Sequence, residues 1–345
     1  MNFFNKIFKP NKSNKEIALT KITRTETLEG FSIPGIILNM QYHYTDIQVY
    51  SDGLISSWEM LDLLMFKRKL DEKWVVTSIP NGKIISIFSL GYWKIEKGEW
   101  DYNRETYYLK VKNLIKKLNP TLENLYDYKG KNSKTVGKIR VAKHFIPSPK
   151  PYYFEEPETI LPERENGEKF NIFYRNDDEN TYLVELSIYK NEHIELTNLP
   201  KKKSFQFSDL KELINRKKVT TELLIGERVT ILGLGSFTIT SGEGVEISSK
   251  YNEFLDKLSE LKGEENSIDK CRRIFEEYKI TPNIKLRKDL KEAYENVPEH
   301  QRIFVGDMDT KDYVVRLIIY GEKVKKEWEN NYGYEFPDYD IPTPI

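Results

Sequence analysis

The sequence predicts an α+β protein: two tandem duplicated modules, each roughly ββαβββα with a mainly antiparallel sheet, then a helical C-terminal region. Three observations carry this expectation. Val75–Glu99 (VVTSIPNGKIISIFSLGYWKIEKGE) lies on Val219–Glu243 (VTTELLIGERVTILGLGSFTITSGE) without a gap. Thr77, Gly82, Leu90, Gly91, Ile95 and Gly98 fall on Thr221, Gly226, Leu234, Gly235, Ile239 and Gly242, while Trp93 is exchanged for Phe237. Around both stretches, short runs of period-two apolar alternation are followed by segments of helical spacing, and after the second copy only helical spacing remains.

Taken in order, the chain divides into a tether (1–29), a first module (30–128), a linker (129–169), a second module (170–263), a helical region (264–330) and an acidic, aromatic tail (331–345). The tether opens with Phe3, Phe4, Ile7 and Phe8 interleaved with Lys6 and Lys9. A basic amphipathic turn of this kind can touch an anionic membrane surface, but one or two turns hold a membrane weakly, and docking on the body is the plainer reading. Tyr44–Tyr50 and Leu54–Trp58 read as a hairpin across Ser51-Asp52-Gly53, copied by Leu183–Tyr189 and His193–Thr197 across Lys190-Asn191-Glu192. A short helix follows over Met60–Leu70, with its copy over Phe207–Arg216; Phe66 and Leu70 stand over Leu210 and Ile214, a spacing that buries one face.

Three strands come next in each copy. In the first, Val75–Ile79 turns through Pro80-Asn81-Gly82 into Ile84–Phe88 and then Tyr92–Ile95. The glycine of Leu-Gly recurs in both copies and implies a bulge or a close backbone approach. A helix then closes each unit, striped by Tyr107, Val111, Leu114 and Leu118 and by Tyr251, Leu255 and Leu258. The linker is rich in Lys, Gly, Pro and Glu and reads as extended, with one strand at Ile139–Phe145. Beyond it, Ser267 is expected to cap Ile268–Lys279, Pro298 to end Ile284–Asn296, and Asp309, with Asp312 three residues on, to open a last helix through Trp328.

Composition narrows the function classes. Lys plus Arg and Asp plus Glu both number 54, so the net charge is zero, where a dedicated nucleic-acid binder is usually basic. One cysteine, Cys271, excludes an internal disulfide and a Cys-rich zinc site; on the apolar face of a helix it reads as packing. With no leader pattern and no long apolar run, the expectation is a cytoplasmic protein without a transmembrane segment. No phosphate loop, dinucleotide fingerprint, GxSxG elbow, HExxH, CxxC or kinase signature is present, and no cofactor is expected.

Two groups of residues remain as candidate binding sites. Glu299, His300, Arg302, Asp307, Asp309 and Asp312 crowd into PEHQRIFVGDMDTKD, a set that could hold a divalent metal or serve acid–base chemistry, although the two later aspartates already suit helix capping. Lys67 and Arg68 in one copy, and Lys201, Lys202 and Lys203 in the other, are basic runs that could track phosphates or an acidic partner, although solvated helix faces commonly look the same.

The duplicated hairpin–helix–Leu-Gly-strand unit, followed by AYENVPEHQRIFVGDMDTKDYVVRLIIYGE, resembles a group of bacterial domains of unknown function, over about Gly30 to Glu327. The resemblance implies the duplicated fold and carries no assigned activity. The leading expectation is a non-enzymatic cytoplasmic protein-binding module, in style like a toxin-neutralising immunity protein or a phage-defence accessory protein. The alternatives are a metal-dependent hydrolase built on His300, Asp307 and Asp309, or a nucleic-acid-associated protein using the paired lysine runs.

Overall fold

The computed structural model describes residues 30–123, 125, 134–136, 139–141, 152–154, 164–177 and 180–337. The expected N-terminal amphipathic stretch and most of the linker lie outside them. In chain order the elements are β1 (Gly30–Asn39), β2 (Gln41–Tyr50), β3 (Ile55–Ser57), β4 (Glu59–Leu61), α1 (Leu63–Asp71), β5 (Val75–Val76), β6 (Ile84–Ile87), β7 (Gly91–Trp100) and α2 (Arg104–Leu118). Then come β8 (Lys134–Val136), β9 (Ile139–Val141), β10 (Tyr152–Phe154), β11 (Arg164–Arg175), β12 (Thr181–Tyr189), β13 (His193–Thr197), β14 (Lys203–Gln206) and α3 (Phe207–Asn215). The last are β15 (Val219–Thr220), β16 (Arg228–Ile231), β17 (Gly235–Gly244), α4 (Ile247–Lys262), α5 (Ser267–Ile280), α6 (Ile284–Asn296), α7 (Tyr313–Tyr320) and α8 (Lys323–Tyr332). The fold is α+β, and the duplication is visible element by element.

Local chemistry explains where the elements start and stop. The Asp62 carboxylate accepts from the Met65 amide at 2.7 Å and caps α1, so the helix begins three residues later than its apolar pattern suggests. Glu59–Leu61 is used instead as β4, paired with β3. Asn103 and Thr106 form a reciprocal capping box on α2. Asn266, rather than Ser267, caps α5 through the Asp269 amide. The expected final helix is two helices, because Gly321 at φ +77 breaks it, and it starts after Asp312 rather than at Asp309.

The chain folds as two compact units that cut across the duplication. The first unit takes residues 1–88 and 92–149 and also Arg228–Ser241 from the second copy. Its strands run in the order β16-β17-β7-β6-β2-β1-β5, with β3 and β4 off β2. β2 pairs with β6 in parallel, whereas β1 with β2, β1 with β5, β2 with β3, β3 with β4 and β16 with β17 are antiparallel. Helix α2 lies against this sheet, with the buried Tyr107 hydroxyl donating to the Pro34 carbonyl at 2.7 Å. Trp93 and Phe237, the exchanged pair, are each 1% exposed, so the apolar equivalence seen in the sequence is an equivalence of core positions.

The second unit holds Ser89–Gly91, residues 150–227 and 242–345. Its strands run β10-β11-β12, with β13 and β14 continuing from β12 and β15 on β11. Phe254 of α4 meets Phe170 edge-on at 4.9 Å. The C-terminal helices close over Cys271, Ile274, Tyr278, Leu290, Val315 and Ile318, while Tyr313, Leu317, Val324 and Trp328 form a smaller cluster beside them. Among the described residues no helix is long and apolar enough to cross a membrane.

Each unit contains one half of an exchange between the copies. In the first, the Thr238 hydroxyl donates to Glu96 at 3.1 Å and the Thr240 hydroxyl to the Lys94 carbonyl at 3.4 Å. As one number rises the other falls, so β7 and β17 run antiparallel, and the contacts bracket Ile95 and Ile239, which the duplication makes equivalent. The Asp101 amide donates to the Leu234 carbonyl at 3.0 Å in the first unit, and the Val245 amide to the Leu90 carbonyl at 2.9 Å in the second. These two bonds are the same bond with the copies interchanged, the reciprocity of an isologous contact. Gly235 is required by it: at φ +147, an added Cβ would lie 2.4 Å from the Glu99 carbonyl oxygen.

Candidate binding face

Three side chains of the first unit sit on left-handed backbone at neighbouring turns. Met40 (φ +61) joins β1 to β2, Trp58 (φ +57) joins β3 to β4, and Lys73 (φ +59) follows α1. Such angles are uncommon for residues other than glycine and asparagine, and a bulky side chain held there costs about 1–3 kcal/mol. The duplication separates the ordinary cases from the unusual one. Lys73 is matched by Lys217 at φ +55, so this conformation is simply how the module stops its helix. In the hairpin alignment Trp58 falls on Thr197, the last residue of β13, and the second copy places its left-handed residue one position later, at Asn198 (φ +60), in a longer turn to β14.

Trp58 remains 55% exposed and Met40 is fully exposed. The His43 ring lies 5.0 Å from Trp58, and Trp58 meets the half-buried Trp74 edge-on at 6.4 Å. Trp74 is pinned because its carbonyl accepts from the Leu38 amide at 2.8 Å, and the Lys69 ammonium sits 4.4 Å over its ring while pairing with Glu59. The His43 Nε2 atom lies 3.3 Å from the Asn39 carbonyl, which ties the Met40 turn to the same patch.

Beside the patch is a cavity of about 650 Å³, within the range of ligand pockets. Leu38, Tyr42 and Lys73 join it to the aromatic rim, Val76 of β5 and Thr77 just after it form one wall, and Arg104 at the start of α2 another. A second hollow of about 430 Å³ shares Leu70, Arg104 and Glu105 and reaches Lys67. Arg104 pairs with Asp71 at 3.2 Å.

The basic runs expected to bind are largely engaged within the fold. Arg68 pairs with Glu72 at 2.6 Å, Lys67 lies 5.7 Å over the Tyr108 ring, and Lys202 pairs with Glu195. Lys203 and Lys218 both grip Asp177, and their hydrogen bonds pull its carboxyl down to about 2. Lys201 is exposed. Lys67 and Arg68 belong to the first unit and the other run to the second.

The C-terminal segment is also built for structure. The Asp307 carboxylate accepts from the Asp309 amide, the Thr310 amide and the Thr310 hydroxyl, a closed turn. Arg302 donates to the carbonyls of Val297 and Glu295, both at 3.0 Å, and finishes α6. Asp312 is buried and accepts from the Tyr294 hydroxyl, which burial and that carboxylate hold above its ordinary range. Asp309 is exposed and caps no helix, and the Glu299 amide donates to the Ser249 hydroxyl. Among the described residues no group of three or more His, Cys, Asp and Glu side chains could hold a metal ion.

His300 is placed elsewhere than with those aspartates, at a cluster that the sequence reading missed. Its Nε2 atom lies 3.8 Å from a Glu253 oxygen. Glu253 takes the Lys250 ammonium at 2.7 Å, and that ammonium also donates to the Ser89 carbonyl at 3.0 Å and the Ser89 hydroxyl at 2.8 Å. The hydroxyl stands 3.1 Å from both Glu253 oxygens. The side chains of Lys250 and Glu253 are 1% and 9% exposed, and burial lowers the lysine's proton affinity, with Glu253 opposing. One signal was available: Ser89, at φ +59, occupies the place of Gly233, at φ +79, in the other copy.

Residues 18–122 and again 155–265 match one family model, described as a domain of unknown function (DUF7638). Residues 266–334 match a second, also described as a domain of unknown function (DUF7639). No curated protein and no solved structure matches the chain.

Proposed function

The chain belongs to the DUF7638 family, and we propose that it is a protein-binding module whose partner docks on the Met40–Trp58–Trp74 face of the first unit. The observation that carries this reading is Trp58: a large ring held 55% exposed on left-handed backbone, edge-on to a half-buried tryptophan. Trp and Met are favoured anchors at protein interfaces, and a half-buried aromatic neighbour beside a preformed cavity supplies the pocket that such anchors pair with. The zero net charge and the engaged lysines favour a protein over a nucleic acid as partner. A toxin or a defence component is the class of partner proposed, in the cytoplasm.

The test is affinity purification of the tagged protein alongside Trp58→Asn, which removes the ring and installs a residue that tolerates left-handed backbone. A stoichiometric partner should bind the unmodified protein and bind the variant about 30-fold more weakly, the loss of a central tryptophan anchor of 2 kcal/mol or more. Equal capture by both proteins would reject this face.

A further inference from the structure

We propose a second functional site, separate from the binding face: Ser89 is an activated nucleophile that accepts acyl groups from carboxylic esters, with Glu253 as its base and Lys250 holding the alkoxide.

The duplication supplies the control that a single structure lacks. In the first unit the Lys110 ammonium donates to the Gly233 carbonyl at 2.8 Å, and in the second Lys250 donates to the Ser89 carbonyl at 3.0 Å. A lysine on a carbonyl of the Leu-Gly turn is therefore what the fold uses to fasten this turn. It needs neither a hydroxyl nor a carboxylate, since the positions equivalent to Ser89 and Glu253 are Gly233 and Leu109. In the second unit both are present, and they meet. A serine on left-handed backbone carries strain that glycine avoids, and strain kept at one copy only marks a place where the side chain has a use.

The geometry fits nucleophilic activation. The hydroxyl is within hydrogen-bond reach of a carboxylate that can take its proton and of an ammonium that can stabilise the resulting charge. Both partners are nearly dry, so their charges act at short range with little screening. Ser89 itself is only half buried, and His300, whose side chain is 44% exposed, opens the Glu253 end to water. In the forward step the Ser89 Oγ bonds to the acyl carbon as its proton passes to Glu253, and the ester C–O bond breaks. The leaving alkoxide takes that proton from Glu253 and departs as an alcohol. Water repeats the sequence in the second step, releasing the acid and restoring the hydroxyl. An ester suits the site because an oxygen leaving group needs only the one proton that Glu253 carries.

The probe is p-nitrophenyl acetate, followed by p-nitrophenolate release and by mass spectrometry of digested protein. Acetyl on Ser89, with a burst approaching one equivalent, is the expected result. Ser89→Gly keeps the turn, because glycine is the residue of the other copy, and should abolish both the burst and that adduct. Glu253→Gln, with folding checked by circular dichroism, should slow acetylation about 100-fold or more, the contribution of a positioned base. Acetyl confined to surface lysines, a burst unchanged in Ser89→Gly, or Glu253→Gln acetylated at the original rate would each overturn the assignment. None of these readouts depends on Trp58, so failure here leaves the binding face standing.

Discussion

Gly235→Ala tests the exchange between the copies directly. The added methyl would sit 2.4 Å from the Glu99 carbonyl oxygen and 2.9 Å from the Trp100 Cα, both backbone atoms that no rotamer change can move. Backbone at φ +147 charges alanine about 1–3 kcal/mol in strain. Pushing β7 away adds about 1–3 kcal/mol of overpacking, while the stiffer unfolded chain returns about 0.4–1 kcal/mol. The net is a loss of about 3–4 kcal/mol. Gly82→Ala, in the same unit, is the control: φ is +79 but nothing lies within 4 Å, so strain and unfolded-state gain nearly cancel, to within about 1 kcal/mol. Urea unfolding gives the global difference, and hydrogen exchange at the Asp101 amide, bonded to Leu234, gives the local one. If the two variants are equally stable and Asp101 exchanges at one rate in both, β7 and β17 are not packed as described.

Cys271 is fully buried and its thiol is pushed up to about 12, so a disulfide reagent at pH 8 should modify it only after unfolding. Because its folded affinity for the proton is raised, its contribution to stability is complete below the unfolded value of 9.0 and is lost as pH rises through about 12; Cys271→Ser should flatten that part of the pH–stability curve. Asp177 should titrate near 2 by carbon NMR, with its contribution present above 3.8 and lost as pH falls through about 2; in Lys203→Met the value should move upward. Tyr107→Phe leaves the buried Pro34 carbonyl without its donor and should cost about 1–3 kcal/mol in urea unfolding.

The repeat was legible because a gapless match constrains backbone as well as core. Gly82 and Gly226 carry φ values of +79 and +81, and Gly91 and Gly235 carry +143 and +147, so matching glycines reported matching turns. Element ends were less legible. Met60 and Leu61 stand four and three residues before Leu64, a helical spacing, yet the Asp62 cap overrides it and leaves them to a strand. The unbroken apolar stripe from Val315 to Trp328 likewise hid the stop at Gly321. For the sites, chemistry-bearing residue types pointed to the wrong places. Asp307 and Asp309 are acidic and close together, but Asp307 uses one carboxylate oxygen to close its own turn. Ser89, Lys250 and His300 are far apart in the chain, and no local pattern joins them. Trp58 is one of five tryptophans, and nothing in its local sequence separates it from the buried Trp93.

The reciprocal bonds of Asp101 with Leu234 and Val245 with Leu90 have a genetic consequence. In a two-fold homodimer every substitution occurs twice, so a residue that strains the fold must be tolerated at both related places at once. Here one polypeptide encodes the two places separately. Gly233 can go on serving the turn while Ser89 takes a less comfortable conformation. Fusion of the halves lets symmetry remain in the scaffold and lapse wherever a side chain gains a use of its own.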